Sequence, residues 1–346
     1  MKYHTIKKGN SLCESVTNIM FDDKADVAVV GLGTAGSVSA VTAAENGLDV
    51  IGIEQNSGMG GLSSYGCVGD YYYGSKGGKF EEINREVIKL QKSIFAPGEA
   101  ENEDDDYRCF NGIAKGIALE KAAVELGCRL FFETTVTGVY TENGRIIGIS
   151  CLLEGKEFNI CAKMFIDSTG GALLCRFAGL KTRSGRDSDG RQMRFSETIV
   201  TAEDGLVRGR WTMNGNRENK TAMELSQIIL EGLSLSPCLM DKYSTKKRTV
   251  FNGTVLGMRE SARIVPHYEL KFSDVLSGRQ SSKPLFYAFS PVDNVNRDVS
   301  FDSEVQQLWR LVLNLNEVGL SIGVPLETLI PKDMDGVIVA GKGIGV

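Results

Sequence analysis

Three glycines and one carboxylate carry the strongest chemical signal in this chain. Gly31, Gly33 and Gly36 have the G-x-G-x-x-G spacing, directly after the apolar run Val27 to Val30 and at the start of a small-residue stretch from Ser37 to Asn46. A strand that turns into a helix in this way gathers the free amide N–H groups of the first helical turn at one point, where they hold phosphate. The first glycine permits the tight turn, the second lets a diphosphate approach the backbone, and the third lets helix and strand pack together. Eighteen residues after Gly36, Glu54 ends a second strand-like run, Leu48 to Ile53. A carboxylate there accepts the hydroxyls of an adenosine ribose and selects against a 2′-phosphate. The expected dinucleotide contacts are therefore Gly31, Gly33, Thr34, Ala35, Gly36, Glu54 and Gln55.

The fingerprint alone does not separate a nicotinamide dinucleotide from FAD. Three later stretches make that choice: Gly58-Met59-Gly60-Gly61, then Ile166-Asp-Ser-Thr169-Gly170-Gly171, then Asp335 to Gly341. Together with Met258 to Arg263 and Pro325 to Pro331, they resemble the FAD-dependent oxidoreductases of the glutathione reductase and fumarate reductase flavoprotein superfamily. The resemblance touches nearly the whole chain after Ala25 and is weakest from Leu180 to Lys246. A physical argument runs beside it. An extended flavin dinucleotide needs contacts at its adenosine, at its diphosphate and beside its ring. Three glycine-rich strand ends, at Gly31, Thr169 and Gly341, supply them from one edge of a parallel sheet.

The resemblance implies roles for further residues. Gly60, Gly61, Leu62 and Ser63 lie along the ribityl chain and ring, Val136 sets its backbone against the adenine, and Thr169, Gly170 and Gly341 complete the contacts. It also implies that Arg259 to Tyr268 faces the substrate. Arg259 and Arg263, four apart on one helical face or edge, would clamp a carboxylate or carbonyl; the alternative is a structural role bridging Glu260 and Asp274. His267 is the natural acid or base, with Tyr268 beside it. Cys67 has no second cysteine four residues away, so it reads as a small buried residue rather than a redox thiol.

The elements that must position these groups suggest an α/β fold. It comprises a Rossmann-like FAD-binding domain, with a parallel sheet, helices and a small antiparallel sheet, and an inserted α+β substrate domain. The expected division is 1–24 as a leader, 25–179 as the FAD-binding domain, 180–318 as the substrate domain and 319–346 as a return to the first domain. Helices are expected at Ser37 to Asn46, Phe80 to Ser93, Ile113 to Leu126, around Ala222 to Gly232 and at Trp309 to Val318. Strands are expected at Arg129 to Phe132, Val136 to Thr141, Arg145 to Leu153, Glu157 to Ala162, Ala162 to Asp167 and around Ser196 to Thr201, with Glu142-Asn143-Gly144 as a hairpin turn. The acidic stretch from Ala96 to Arg108 reads as a solvated loop.

Composition sets the outer limits. The 346 residues hold 40 glycines, where an average usage of about 7% would give roughly 24; the excess suits many close backbone approaches. Lys and Arg total 39 against 44 Asp and Glu, a net charge of −5, which argues against a nucleic-acid partner, tRNA included. The eight cysteines form no C-x-x-C pair and there are two histidines, so no metal site is expected. No signal peptide or membrane span is read from the sequence. The expected protein is a cytoplasmic flavoenzyme acting on a small-molecule substrate, working with a redox partner or as a homo-oligomer, and without a membrane partner. In the resembling family a long helix follows the last strand, whereas this sequence stops at Val346. That sets up a second expectation, a truncated or non-catalytic FAD-binding subunit completed by a partner chain.

Overall fold

The computed structural model describes residues 1–69, 71, 77–94, 110–185, 192, 195–203, 206–214, 223–224, 226–227, 248–279, 281–291 and 319–345. Its main feature is a nine-stranded sheet. The strands are β1 (Lys2–Lys8), β2 (Ser11–Thr17), β3 (Asp23–Val30), β4 (Val50–Ile53), β5 (Arg129–Phe131), β6 (Thr135–Glu142), β7 (Arg145–Leu153), β8 (Lys156–Asp167) and β17 (Val337–Val339). The order is β2-β1-β6-β7-β8-β3-β4-β5, with β17 also on β8. Smaller sheets join β9 (Thr182–Arg183) to β14 (Arg263–Ile264), β10 (Phe195–Glu203) to β11 (Leu206–Asn214), β12 (Arg248–Asn252) and β13 (Gly257–Met258), and β15 (Pro284–Pro291) to β16 (Gly319–Pro325).

β3 and β4 run parallel towards one end of the sheet, and their apolar residues are buried on both faces, as a covered parallel sheet requires. Alternate residues divide between two cores. Val27, Val29 and Val50 pack with Ala40, Val41 and Ala44 of α1 (Thr34–Glu45) and with Leu119 and Ala123. Ala28, Val30, Ile51 and Ile53 pack with Val136, Val139, Ile149, Phe165 and Leu174. α2 (Lys79–Ile94) and α3 (Gly112–Glu125) form a third, smaller cluster through Val87, Phe110, Ala114 and Ala118. A short helix, α4 (Leu173–Phe177), comes after β8.

Four sequence expectations need correction. Residues 1–24 do not stand apart as a leader: β1 and β2 form a hairpin, and β1 pairs antiparallel with β6. Only Thr5 of β1 is buried, among half-buried and exposed neighbours, and this short signal was hidden by the lysines around it. The two strands expected on either side of Ala162 are one, β8. Its first half pairs with β7 and its last residues with β17, on the same side, so a break at Ala162 has no physical cause. The apolar stripe expected on α3 (Ile113, Ile117, Leu119, Ala122, Ala123 and Leu126) is only partly buried. Ala114, Ala118, Leu119 and Ala123 are buried, while Ile113 (64% exposed), Ile117, Val124 (63%) and Leu126 lie outside. Finally, the chain from Arg259 to Ala262, between β13 and β14, is not helical. The expected helix at Trp309 to Val318 and the acidic stretch lie outside the described residues, as does most of the helix around Ala222 to Gly232.

The hairpin turn between β6 and β7 has Asn143 at φ 50° and Gly144 at φ 74°. That is the left-handed pair of a type I′ turn, for which Asn-Gly is the preferred sequence.

Candidate active site

The three parallel strands β3, β8 and β17 end side by side, with Val30 and Val339 both in register with Asp167. The three glycine turns at their ends are packed into one another. Gly31 has φ 85°, and a side chain there would lie within 2.9 Å of the Ser168 carbonyl carbon and Thr169 Cα. A Cβ on Gly36 would overlap the Gly31 carbonyl. Ser168 Oγ donates to the carbonyls of Val30 at 3.0 Å and Gly31 at 2.7 Å, tying the second turn to the first. Gly341, at φ 78°, brings the third turn against Ala35, whose Cβ lies 3.3 Å from where a Cβ would stand.

The Gly60-Gly61 turn closes on the same point. Gly60 N donates to the Leu32 carbonyl at 2.8 Å and to Ser37 Oγ at 3.2 Å, while Ser37 Oγ donates to Leu32 O at 2.5 Å. A Cβ on Gly61 would come within 2.9 Å of Gly33 Cα. Ser63 Oγ donates to Gly60 O at 2.7 Å, and Leu62 is half-buried beside it.

Glu54 sits at the tip of β4, 4% exposed. Its Oε2 accepts from Leu32 N at 2.6 Å, and its Oε1 accepts from Asn56 N at 2.9 Å and Asn56 Nδ2 at 2.7 Å. An ionised carboxylate has about four acceptor positions, so these three donors leave one. The backbone of Glu54 also holds the approach to β6: Thr134 N donates to Glu54 O at 2.9 Å. Val136 therefore lies two residues beyond a direct contact with Glu54, paired with Cys151 and buried. Gln55 is exposed.

Asp167, Ser37 and Ser168 shape the site and were not singled out from sequence. Asp167 is fully buried; its Oδ1 accepts from Thr169 Oγ1 at 2.7 Å and its Oδ2 from Leu174 N at 2.8 Å, so it caps α4 and fixes the Thr169-Gly170 turn. Burial pushes its carboxyl pKa up, and these donors pull it back. The sequence signal was an Asp at a strand end with a Thr two residues later, the pattern of a side chain bonding to its own turn.

The segment expected to face substrate divides in two. Around Arg259 it reaches the glycine turns: Lys342 Nζ donates to the Met258 carbonyl, and Ser261 Oγ donates to Gly170 O. Arg263 lies 4.0 Å from Glu260 Oε1 and pairs with Arg183 across β14 and β9. Asp274 is instead partnered by Arg279 at 3.5 Å. Beyond Ile264 the segment turns to other contacts. His267 is exposed, with its backbone N–H on Ile330 O at 3.0 Å. Tyr268 donates its hydroxyl to Asp274 Oδ2 at 3.2 Å and packs beside Leu270, Ile322 and Val324. Cys67 lies just past the Gly60 turn at φ 54°, and burial raises its thiol pKa.

Two features fit this crevice to a dinucleotide. Gly33 caps α1 without any side-chain acceptor, which leaves the first-turn amides for an external one. A Cβ built on Gly33 meets no atom within 4 Å, unlike its neighbours Gly31 and Gly36, so this face of the turn is open where a diphosphate would lie.

Comparison with known proteins agrees with this geometry. Residues 26–231 and 245–346 match the family described as FAD dependent oxidoreductase. Among curated proteins, the chain is similar to digeranylgeranylglycerophospholipid reductase of Methanocella arvoryzae, at 32% identity over 45% of this chain and 42% of that protein. The corresponding Methanosarcina mazei reductase is 28% identical over 46% of this chain and 41% of its own length. The matched stretch thus spans less than half of either relative. A geranylgeranyl bacteriochlorophyll reductase-like protein from Thermoplasma acidophilum is among the similar solved structures, at TM-score 0.43 and 19% identity, covering 68% of this chain and 66% of that one.

Proposed function

The chain belongs to the FAD-dependent oxidoreductase family, FAD is its cofactor, and from that premise we propose that it oxidises or reduces a small organic substrate by hydride transfer to or from bound flavin. The observation that carries this reading is the convergence of the Gly31, Thr169 and Gly341 turns on the uncapped start of α1. FAD supplies the two-electron chemistry when bound. The chain's own residues hold and shield it. The amides of Thr34, Ala35 and Gly36 bind the diphosphate, and the remaining acceptor position of Glu54 takes a ribose hydroxyl. The backbone of Val136 borders the adenine, and Gly60 to Ser63 cover the ribityl side against water.

Arg259 and Arg263 orient the substrate, because the chain around Arg259 reaches the Gly170 and Lys342 turn. His267 and Tyr268 make their contacts elsewhere, so a proton acid or base is not assigned to them. The relatives are named reductases, which favours reduction as the direction.

The test is reconstitution. The purified chain is expected to take up FAD, with the visible flavin absorbance band and a raised melting temperature, and to show neither response to NAD. A stabilised complex with NAD and no flavin band would overturn the reading. Arg259→Ala is expected to lower kcat/KM at least about ten-fold while leaving the flavin band intact.

A further inference from the structure

The third glycine turn, Gly341-Lys342-Gly343, carries one charged side chain. Lys342 follows Gly341, and a Cβ on Gly341 would stand 3.3 Å from the Ala35 Cβ in the first turn of α1. Its own stem crosses the second turn: a Cβ on Gly170 would lie 2.8 Å from Lys342 Cε and 3.6 Å from its Nζ. The ammonium therefore stands where the turns after β8 and β17 meet, one residue from the chain that packs on the start of α1. That second turn is itself tied to the first, through Ser168 Oγ on the carbonyls of Val30 and Gly31.

The partner that Lys342 has in the folded chain is neutral. Its Nζ donates to the Met258 carbonyl, and no carboxylate among the described residues pairs with it. The side chain is exposed on its outer side, yet packing against the second turn desolvates the amine and holds its pKa below the ordinary lysine value. An anion beside it would reverse that cost.

The crevice at α1 lacks the charge that Lys342 carries. Thr34, Ala35 and Gly36 offer a diphosphate no cationic side chain, and a helix N-terminus amounts to about half a positive charge, whereas a diphosphate is a dianion. Glu54 makes the shortage worse, since its carboxylate already takes Leu32 N in the same turn.

We propose that Lys342 supplies the counter-charge for the FAD diphosphate, its ammonium leaving the Met258 carbonyl to pair with a phosphate oxygen. The inference rests on the flavin reading and adds to it a charged residue from the third turn. An ammonium on a flexible four-carbon stem can make that move, and it binds phosphate as a point charge.

The experiment is titration of the flavin-free full chain with FAD, read by flavin fluorescence, and separately with ADP, read by calorimetry, each at about 50 mM and about 500 mM sodium chloride. Lys342→Met is expected to bind FAD at least about ten-fold more weakly than wild type at the lower salt and to lose most of the salt dependence, while Lys342→Arg keeps both closer to wild type. The melting temperature of the flavin-free chain should be the same in all three. Wild-type FAD affinity in Lys342→Met, an unchanged salt dependence, or equal losses in the Met and Arg variants overturns the proposal. If Lys342→Met does not fold, the salt series on the unaltered protein decides, and an affinity for FAD that does not fall with salt overturns it. The two ligands separate the readings: ADP binding that needs Lys342, without FAD binding, sinks the flavin reading and keeps the phosphate contact, whereas FAD binding indifferent to Lys342 does the reverse. Binding of neither ligand sinks both.

Discussion

Glu54 and Lys115 are charged side chains with the same exposure, 4%, in neighbouring parts of one domain, and the protein treats them oppositely. Glu54 is met by three N–H donors and made part of the turn it serves. Lys115 is met by two aromatic rings and no counter-ion among the described residues. A hydrogen bond to a charged group contributes about 1.5–3 kcal/mol, so the Glu54 region is already held in shape by the chain itself. Cation–π contacts reach about 2 kcal/mol when desolvated, against a desolvation cost of several kcal/mol. The α2–α3 cluster thus holds its cation at a net cost.

The difference can be broken by substitution, beginning with the largest effect. Gly36→Ala places a methyl on the Gly31 carbonyl; it should cost about 4 kcal/mol or more and abolish flavin uptake, read by denaturant unfolding and by absorbance. Glu54→Gln sets an NH2 group against backbone donors and is expected to destabilise by about 3 kcal/mol. Lys115→Met should do the opposite and stabilise by about 2 kcal/mol, since it removes an unpaired buried cation. If both variants shift the melting temperature in the same direction, the contrast between the two regions is lost.

The pH dependence sharpens it. Lys115 titrates near 8 when folded and at about 10.4 when unfolded. Between those values the unfolded chain binds more protons, so this group's contribution makes stability rise with pH across the window. Melting curves of wild type and Lys115→Met should therefore converge as pH climbs from about 8 to about 10.4. Gly33→Ala isolates ligand from fold: the added methyl meets no atom, so stability should stay within about 0.5 kcal/mol while FAD affinity falls at least about ten-fold. The smallest effect is Tyr268→Phe, which loses one hydrogen bond to Asp274 and should cost about 1 kcal/mol without changing the flavin spectrum.

The crevice was legible in the sequence because its chemistry is local. Gly31, Gly33, Gly36 and Glu54 declare themselves by spacing and by the strands before them, and the later Thr169 and Gly341 turns repeat the strand-then-glycine pattern. What was not legible depends on partners distant in the chain. Ser168 reads as an ordinary turn residue until β8 lies beside β3. Lys115 looks like a solvated helix position, since it lies off the expected stripe of Ile113, Ile117, Leu119, Ala122, Ala123 and Leu126, and nothing local says that Ala114 and Ala118 are buried with Leu119 and Ala123 while Ile113 and Ile117 are not. The Arg259 to Tyr268 segment has no periodicity to fix its conformation, so the helical expectation had nothing to correct it.

The N-terminal hairpin also guards the sheet. By lying along β6, β1 covers a row of main-chain donors and acceptors that would otherwise face solvent, and His4 reinforces the seam, stacking 4.2 Å from Tyr140 and bonding Ser150 Oγ at 3.0 Å. Trimming roughly the first eighteen residues in an attempt to tidy the N-terminus would bare an adhesive strand and invite self-association, although every residue of the glycine crevice would still be present.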